Sequence, residues 1–277
     1  MQYSIPVEKP IRRKPLRRKL GKEYFCLKRK AAWYLNKVDY AKKRMDEKLP
    51  VELIEHQSFL LKPLQNVDMA LQRNKTTNLS IAINKLNGII IGPGEVFSFW
   101  KLVGRPTKLK GYLPGLVLSN GKIKSGIGGG LCQLGNMLFW MAIHTPLKIT
   151  QRFRHSYDVF PDVNRKVPFG SGATLAYNYI DLQIENTTNQ PFQINLWLEK
   201  RFLRGSIHTT LPIKMQYVIF EKDHRFELQW WGGYTRHNEI WRKITDNNSG
   251  AESEELVTEN HAIMMYNPLL TSSNKDE

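Results

Sequence analysis

A dense glycine run beside a cysteine is the strongest constraint on how this chain can fold. Four of the five residues from Gly126 to Gly130 are glycine, and the run leads directly into Leu131 and Cys132. Glycine loses the most conformational entropy when it is ordered, so such a run indicates a tight turn or a close approach of backbone or ligand. The apolar stretch 137–143 follows. This order predicts a glycine loop that leads into a buried helix with the cysteine in its first turn.

Cys132 is a candidate nucleophile. Unpaired N–H groups and the helix dipole at a helix start favour thiolate over thiol. The backbone N–H of Cys132 and the side chain of Gln133 can receive an oxyanion, and Gly128, Gly129 and Gly130 let a substrate come close. The alternative is that a small buried cysteine packs behind a tight turn, because free cysteine is often part of a core.

A cysteine nucleophile needs a base within reach and a third group that orients this base. A stretch predicted as a strand ends near His155, and Asp181 lies in a later stretch of the same kind. In this hypothesis His155 takes the proton of Cys132, and Asp181 fixes the histidine tautomer. Asp158 and Asp162 compete with Asp181 for the third role. The alternative for the histidine is a structural hydrogen bond in a loop.

Metal and phosphate sites have weaker support. His155, Asp158 and Asp162 could supply three ligands, but no Cys-x-x-Cys or His-x-x-x-His spacing accompanies them. The loop from Gly126 to Gly130 lacks the Gly-Lys-Ser/Thr ending of a phosphate-binding loop, although its N–H groups could hold an anion. We therefore expect no cofactor and no metal.

The glycine-cysteine stretch resembles the signature of the VanW family, named for an accessory protein of B-type vancomycin-resistance clusters. Further matches occur in fixed order across roughly residues 75–210. The motifs that carry the resemblance are Gly128-Gly129-Gly130-Leu131-Cys132-Gln133, Pro93-Gly94-Glu95-Val96-Phe97-Ser98-Phe99-Trp100, His144-Thr145-Pro146-Leu147, Arg154-His155, Phe160-Pro161-Asp162, Gly172-Ala173-Thr174, Asp181-Leu182 and Asn186-Thr187-Thr188.

The resemblance implies a cell-envelope or glycopeptide-resistance context, and it implies no particular reaction. The chain departs from the family at one point. The family often has Gly-x-Asp-Ala-Thr where this chain has Gly170-Ser171-Gly172-Ala173-Thr174. The acidic residue expected there is absent, so no role for it can be carried over to this chain.

Most of the positive charge lies in an N-terminal arm. The 277 residues carry a net charge of +16, and residues 1–50 hold 16 Lys/Arg against 5 Asp/Glu. Apolar residues recur every three or four positions through residues 15–47, which predicts an amphipathic helix. With Trp33 and Tyr34 as interfacial aromatics, such a helix suits an anionic membrane surface. The alternative is a helix that docks on the body through its apolar stripe. Nucleic-acid binding would depend on the arm alone, and we do not expect it.

Successive strand patterns after the central helix predict an α+β fold, with an antiparallel sheet core, a buried helix that carries the cysteine, and the N-terminal amphipathic basic helix. One or two of these strands are expected between Ala173 and Glu185. The predicted divisions are a basic amphipathic helical arm at 1–50, a VanW-like α+β domain at 51–212, a β-rich extension at 213–266 and a disordered tail at 267–277.

The sequence also predicts where the protein resides. Cys26 and Cys132 lie in unlike contexts, which excludes a disulfide-stapled secreted fold. No apolar run reaches the ~20 residues of a membrane span, and no signal-peptide pattern follows the basic N-terminus. We expect a cytoplasmic protein, peripheral at the inner face of the membrane if the arm binds lipid.

Two functions agree with these patterns. The leading hypothesis is a cysteine-centred enzyme that acts on an amide, peptide or cell-wall-precursor-like substrate. The alternative is a non-catalytic accessory module that binds a peptide or lipid-linked envelope precursor in the same cleft and stays at the membrane through its arm. Cys132 and His155 favour the enzyme, whereas the missing acid in the segment 170–174 favours the module.

Overall fold

The computed structural model describes residues 14–61, 69–119, 121–159 and 167–268. The predicted tail lies outside these ranges except for residues 267 and 268, and Asp162 also lies outside them. The helices in the described residues are α1 Pro15–Leu35, α2 Met69–Leu86, α3 Phe99–Val103 and α4 Cys132–Ile143. None of these helices is both long and apolar enough to cross a membrane.

Strands dominate the rest of the described chain, which confirms the α+β class. In chain order they are β1 Val51–Phe59, β2 Ile89–Ile91, β3 Val96–Ser98, β4 Pro114–Ser119, β5 Lys122–Ile127, β6 Lys148–Gln151, β7 Tyr157–Asp158, β8 Gln183–Glu185, β9 Phe192–Glu199, β10 Phe202–Thr209, β11 Met215–Leu228, β12 Tyr234–Asp246 and β13 Glu252–Met264.

The strands form four sheets. Their orders are β1-β10-β9-β2, β11-β12-β13-β7, β3-β8-β6 and the hairpin β4-β5. Among these strands only β13 and β7 pair in parallel. Strands that follow each other closely in the chain pair with each other, as in β9-β10 and β11-β12-β13, which is the connectivity that short antiparallel turns allow.

Helices α2 and α4 pack against the first sheet, and their packing forms the main core. α2 buries Leu79, Ala82, Ile83 and Leu86, which recur at the helical period. α4 is apolar almost all round and buries most of its residues after the first turn. A helix of that composition is stable only in an interior, which explains why the glycine loop before it lies against other elements.

The arm departs from its predicted length. The helix ends at Leu35, and Asn36 is already extended. Residues 36–47 then run along the body in a non-helical conformation, with isolated bridges from Tyr40 to Val96 and from Arg44 to Ile89. The apolar period continues past the helix end through Ala41, which is buried against the body and therefore belongs to the core and not to a helical stripe.

The stretch from Ala173 to Glu185 contains only the short strand β8 instead of the longer pairing that we expected. Before β8, Ala176 and Ile180 pair with each other through their backbones, and several other groups of the segment bond to side chains. For example, the N–H of Ala173 donates to Asn136 Oδ1 at 2.9 Å, and Trp100 Nε1 donates to the carbonyl of Ile180 at 2.9 Å. Alternation in the sequence predicts an extended backbone, but it does not say what will satisfy the backbone polar groups.

Candidate functional site

The glycine loop before α4 packs against the hairpin β4-β5 and against α2. A Cβ on Gly129 would lie 2.1 Å from the carbonyl carbon of Gly115, so the two backbones touch where no side chain fits. Gly130 has a φ of +97°, and a Cβ there would strike the side chain of Lys75. Gly128 also has a positive φ, of +76°. The glycines thus permit contacts within the protein.

Several polar groups of this loop already have partners in the chain. The N–H of Gly128 donates to the carbonyl of Leu113 at 3.1 Å, and the N–H of Gly129 donates to that of Gly126 at 3.0 Å. The buried amide of Asn78 donates to the carbonyl of Gly129 at 2.9 Å. The amides of Gly128 and Gly129 are therefore occupied by internal acceptors, and neither is free to hold an oxyanion in this arrangement.

Cys132 lies in the first turn of α4, and its thiol, on a residue that is itself only partly buried, bonds to the backbone of Leu175. The N–H of Leu175 donates to Sγ at 3.5 Å, and the thiol donates to the carbonyl of the same residue at 3.7 Å. Burial raises the pKa of Cys132, although hydrogen bonds from the N–H groups of Leu175 and of Cys132 itself lower it in part. This environment keeps the thiol protonated at neutral pH.

Gln133 ties α4 to the end of β1. Its Nε2 donates to Ser58 Oγ and to the carbonyl of Phe59, both at 2.9 Å. A side-chain amide has two hydrogens, and both are used in these bonds. The predicted oxyanion role of Gln133 would require at least one of these bonds to β1 to be given up.

His155 follows β6 in a loop and is partly buried. Burial and the charge of Arg154 lower the pKa of His155, so its imidazole is neutral at pH 7. Among the described residues no hydrogen bond joins His155 to Cys132 or to Asp181. The nearby backbone is fixed by the N–H of Thr174, which donates to the carbonyl of Phe153 at 2.7 Å.

Asp181 is fully buried, and its carboxylate stabilises the start of α3. Ser98 Oγ donates to Oδ2 at 2.6 Å, and the N–H groups of Trp100 and Leu182 donate to Oδ1 at 3.0 Å. Burial raises the pKa of Asp181, and the bonds from Ser98 and Trp100 lower it in part. The partners of this carboxylate are therefore α3 and its own neighbours, and the predicted role in orienting His155 stays a prediction.

The competing carboxylate Asp158 lies in the C-terminal sheet. It is buried, and its Oδ2 accepts a hydrogen bond from Tyr266 Oη at 2.9 Å. The same oxygen forms an ion pair with Arg236 at 3.4 Å. Within the described ranges, no group of three or more His, Cys, Asp and Glu side chains is arranged to hold a metal ion.

A second cysteine, which the sequence did not single out, makes the same kind of contact as Cys132. Cys26 is the one residue that α1 buries. Its thiol donates to the carbonyl of Tyr177 at 3.5 Å and accepts from the N–H of Asn178 at 3.3 Å. No local motif marks a lone cysteine in a basic helix for this role, because its partner lies about 150 residues further along the chain.

Comparison with known proteins agrees with the motifs in the glycine loop and the segments around it. A family model described as VanW like protein matches residues 74–208. The chain is 40% identical over 180 residues to the vancomycin B-type resistance protein VanW of Enterococcus faecalis, an alignment that covers 65% of this chain and 66% of that protein. This chain belongs to the VanW family. It is also 32% identical over 139 residues to the uncharacterized protein YoaR of Bacillus subtilis, over 50% of this chain and 43% of that protein.

The chain thus spans less than two thirds of the length of either of these relatives. No solved structure matches it. The matched region 74–208 contains the glycine loop, α4, His155 and Asp181, whereas α1 and the β11-β12-β13 strands lie outside that region.

The position at which this VanW-family chain lacks an acid is filled by a neighbouring side chain. Gly172 takes the place of the acidic residue in the Gly-x-Asp-Ala-Thr pattern, and a Cβ there would lie 2.4 Å from Asn136 Oδ1. The same oxygen accepts the N–H of Ala173. Arg152 holds the other side of this turn, with Nε donating to the carbonyl of Gly172 at 2.8 Å. A carboxylate at position 172 would require the side chain of Asn136 to move.

Proposed function

We propose that this VanW-family chain supports glycopeptide (vancomycin) resistance or cell-envelope metabolism as a non-catalytic module. In this proposal it binds a peptide or a lipid-linked envelope precursor at the inner face of the membrane. The context comes from the VanW relative, whose name is that of a vancomycin-resistance protein. The non-catalytic role is carried by one observation, which is that Cys132 makes the same kind of backbone contact as Cys26.

The two thiols lie on different helices and contact one segment. Each acts as a donor to one carbonyl and as an acceptor from one N–H, within the stretch from Leu175 to Asn178. A nucleophilic thiol needs a base within hydrogen-bond reach, and a lowered pKa is typical of reactive cysteines. Cys132 has backbone groups as its partners and a raised pKa. These properties support a structural thiol.

The test compares Cys132→Ser with wild type in cells whose vancomycin resistance depends on this chain. We expect unchanged resistance at matched protein abundance, because a hydroxyl can donate and accept as the thiol does. Cys26→Ser serves as the matched control, since it alters the same kind of contact on α1. Loss of resistance from Cys132→Ser alone, with a normally folded and abundant protein, would contradict this proposal. It would favour the hypothesis of an enzyme that uses Cys132 and His155.

Reaction with iodoacetamide at pH 7 provides a second readout in the purified protein. A structural Cys132 should be alkylated more slowly than a free model thiol, because only the thiolate reacts and burial favours the thiol. Alkylation of Cys132 faster than the model thiol would contradict this proposal.

Membrane attachment through α1 is supported by the direction of its apolar residues. Leu16, Leu20 and Leu27 are 69%, 62% and 64% exposed, and the body instead contacts the side of the helix that carries Cys26 and Trp33. Exposed leucines beside many lysines and arginines are typical of a helix that lies on an anionic membrane. The apolar stripe therefore does not serve as the docking face in this arrangement, and it remains available for lipid.

A further inference from the structure

One edge of β9 is covered over only half its length. β10 pairs with β9 from Phe192 to Glu199 on one side, whereas β2 pairs only with Phe192 to Ile194 on the other. No strand in the described residues continues beyond β2 along this edge. The backbone from Leu196 to Leu198 therefore presents an open sheet edge, which is the feature to which an extended peptide can add as a further strand.

The alternation of β9 shows which backbone groups face that edge. The carbonyl of Ile194 accepts from the N–H of Gly88, and the N–H of Leu196 donates to Asn87 Oδ1 at 2.9 Å, both on the side away from β10. Because a strand has a period of two, the carbonyl of Leu196 and both backbone groups of Leu198 point the same way. In an antiparallel strand, one residue would bond both groups of Leu198, and the N–H of the residue two positions further along would donate to the carbonyl of Leu196.

A cleft of about 370 Å³ lies beside this edge. Its lining combines apolar, polar and cationic side chains, in contrast to the packed loop before α4. The lining residues are Arg44, Ser80, Ile83, Asn84, Asn87, Leu196, Trp197 and Leu198. The apolar members suit peptide side chains, and the hydroxyl and amides of α2 offer further hydrogen bonds.

Arg44 marks one end of the cleft. Its Nε donates to the carbonyl of Asn87 at 3.1 Å, just before β2 begins to occupy the edge. An added strand that reached Asn87 would have to end there, because β2 blocks further pairing. The guanidinium is exposed, lies where the added strand would end, and is the only charged group among the residues that line the cleft. A chain end that stops at an arginine fits a free carboxylate.

We infer that the cleft binds the C-terminal end of a short extended peptide, which pairs antiparallel with β9 at Leu196–Leu198 and places its terminal carboxylate on Arg44. The antiparallel direction follows because Arg44 lies toward the N-terminal end of β9. This inference rests on the proposed function as a binding module and adds the site and the ligand class. It involves no contact with Cys132.

The experiment uses the full chain and a fluorescein-labelled pentapeptide of alternating valine and threonine that ends in a free carboxylate. Fluorescence anisotropy measures its affinity for wild type. Amide capping of the terminus should weaken binding about tenfold, the effect of losing one charge-assisted bond. N-methylation of alternate backbone amides should abolish binding, because it removes the N–H groups that pair with the strand.

Variants of the chain locate the site. Arg44→Gln should weaken binding of the free-acid peptide about tenfold and leave the amide-capped peptide unchanged, because only the former carries the charge. Lys42→Gln, an exposed neighbour that does not line the cleft, is the matched control and should change neither.

Two further variants block the edge. Leu198→Pro removes an N–H that faces away from β10, and Asn84→Trp fills the cleft from exposed α2 surface. Both should abolish binding, whereas Leu198→Val and Asn84→Ala should retain it. If Leu198→Pro lowers the melting temperature, the comparison of Asn84→Trp with Asn84→Ala alone tests whether the peptide binds in the cleft.

Equal affinity for the N-methylated peptide, or full binding by Asn84→Trp, would overturn the inference. Sedimentation that shows a dimer dispersed by Asn84→Trp would also overturn it, since a second copy would then occupy the edge. If these peptides do not bind while Cys132→Ser retains resistance, the inference fails and the proposed function stands. If Cys132→Ser abolishes resistance while the peptides bind, the proposed function fails and the site stands.

Discussion

Cys26 and Cys132 contact backbone groups of one segment, two residues apart. The thiol of Cys132 bonds to both backbone groups of Leu175, and that of Cys26 bonds to the carbonyl of Tyr177 and the N–H of Asn178. One helix of the arm and one helix of the core thus hold the same irregular stretch. Where a backbone runs between helices without a partner strand, soft thiols can satisfy polar groups that would otherwise be buried unpaired.

This arrangement predicts that Cys26→Ala destabilises the protein. The substitution removes the acceptor for the N–H of Asn178, a residue that is fully buried. An unsatisfied buried donor costs roughly 1–3 kcal/mol in the free energy of unfolding. Urea denaturation should show a lower midpoint with an unchanged slope. Lys28→Ala, an exposed change in the same helix, should have little effect, and an equally small effect of Cys26→Ala would refute the structural role of the thiol.

Gly129→Ala should destabilise the protein because of the contact between two backbones. The new Cβ would lie 2.1 Å from the carbonyl carbon of Gly115, so the loop or β4 must shift. Overpacking of this kind costs about 1–3 kcal/mol in the free energy of unfolding, and sometimes more. Gly21→Ala in α1 is the matched control, since nothing lies within 4 Å of its Cβ, and it should stabilise the helix. Thermal unfolding of both variants measures the contrast, and equal melting temperatures would show that the two backbones separate easily.

The strand and turn patterns in the sequence were sufficient to predict the fold class. Alternating residues reflect local physics, and β9 and β10 form where successive strand patterns follow the central helix. The helix boundary at Leu35 could not be predicted in this way. Beyond it the same apolar period includes Ala41, which is buried against the body, and a period alone does not distinguish a helix stripe from a docked extended segment.

The candidate site was harder to predict because its partners are distant in the chain. A glycine run beside a cysteine predicts a tight turn equally well whether backbone or substrate comes close. Here Gly129 meets Gly115, and Gln133 meets β1. The contacts of Asp181 with Ser98 and of Cys26 with Asn178 join residues 83 and 152 positions apart, which no local pattern encodes. Chain order predicts which residues are candidates, but it does not predict their hydrogen bonds.

Exposed leucines on α1 predict binding of the chain to anionic vesicles at low salt. Leu20→Glu should weaken this binding, because it places a negative charge on the apolar face that would enter the lipid. Leu228→Glu is the matched control, since Leu228 has a similar exposed fraction but lies on β11. Co-sedimentation with vesicles that contain phosphatidylserine measures the difference, and binding should fall as salt is raised. Equal loss in both variants would assign the effect to net charge and not to α1.

From the burial of Asp181 we predict that the free energy of unfolding depends on pH in a specific way. Its pKa in the folded protein is raised, chiefly by burial. The folded state therefore holds the proton more tightly than the unfolded state does. The stability that this protonation contributes is fully present below the unfolded pKa of about 3.9 and is lost as pH rises through the higher folded pKa.

Asp181→Asn should remove this component of the pH dependence, because an amide does not titrate and its oxygen can still accept the N–H groups of Trp100 and Leu182. The free energy of unfolding, measured with urea from pH 3.5 to pH 7, should then fall less with rising pH in the variant than in wild type. Asp246→Asn supplies a control of opposite sign, since hydrogen bonds from Ser249 and Asn248 lower the pKa of Asp246. Identical pH profiles for wild type and Asp181→Asn would mean that this carboxylate is no harder to ionise in the fold than in the unfolded chain.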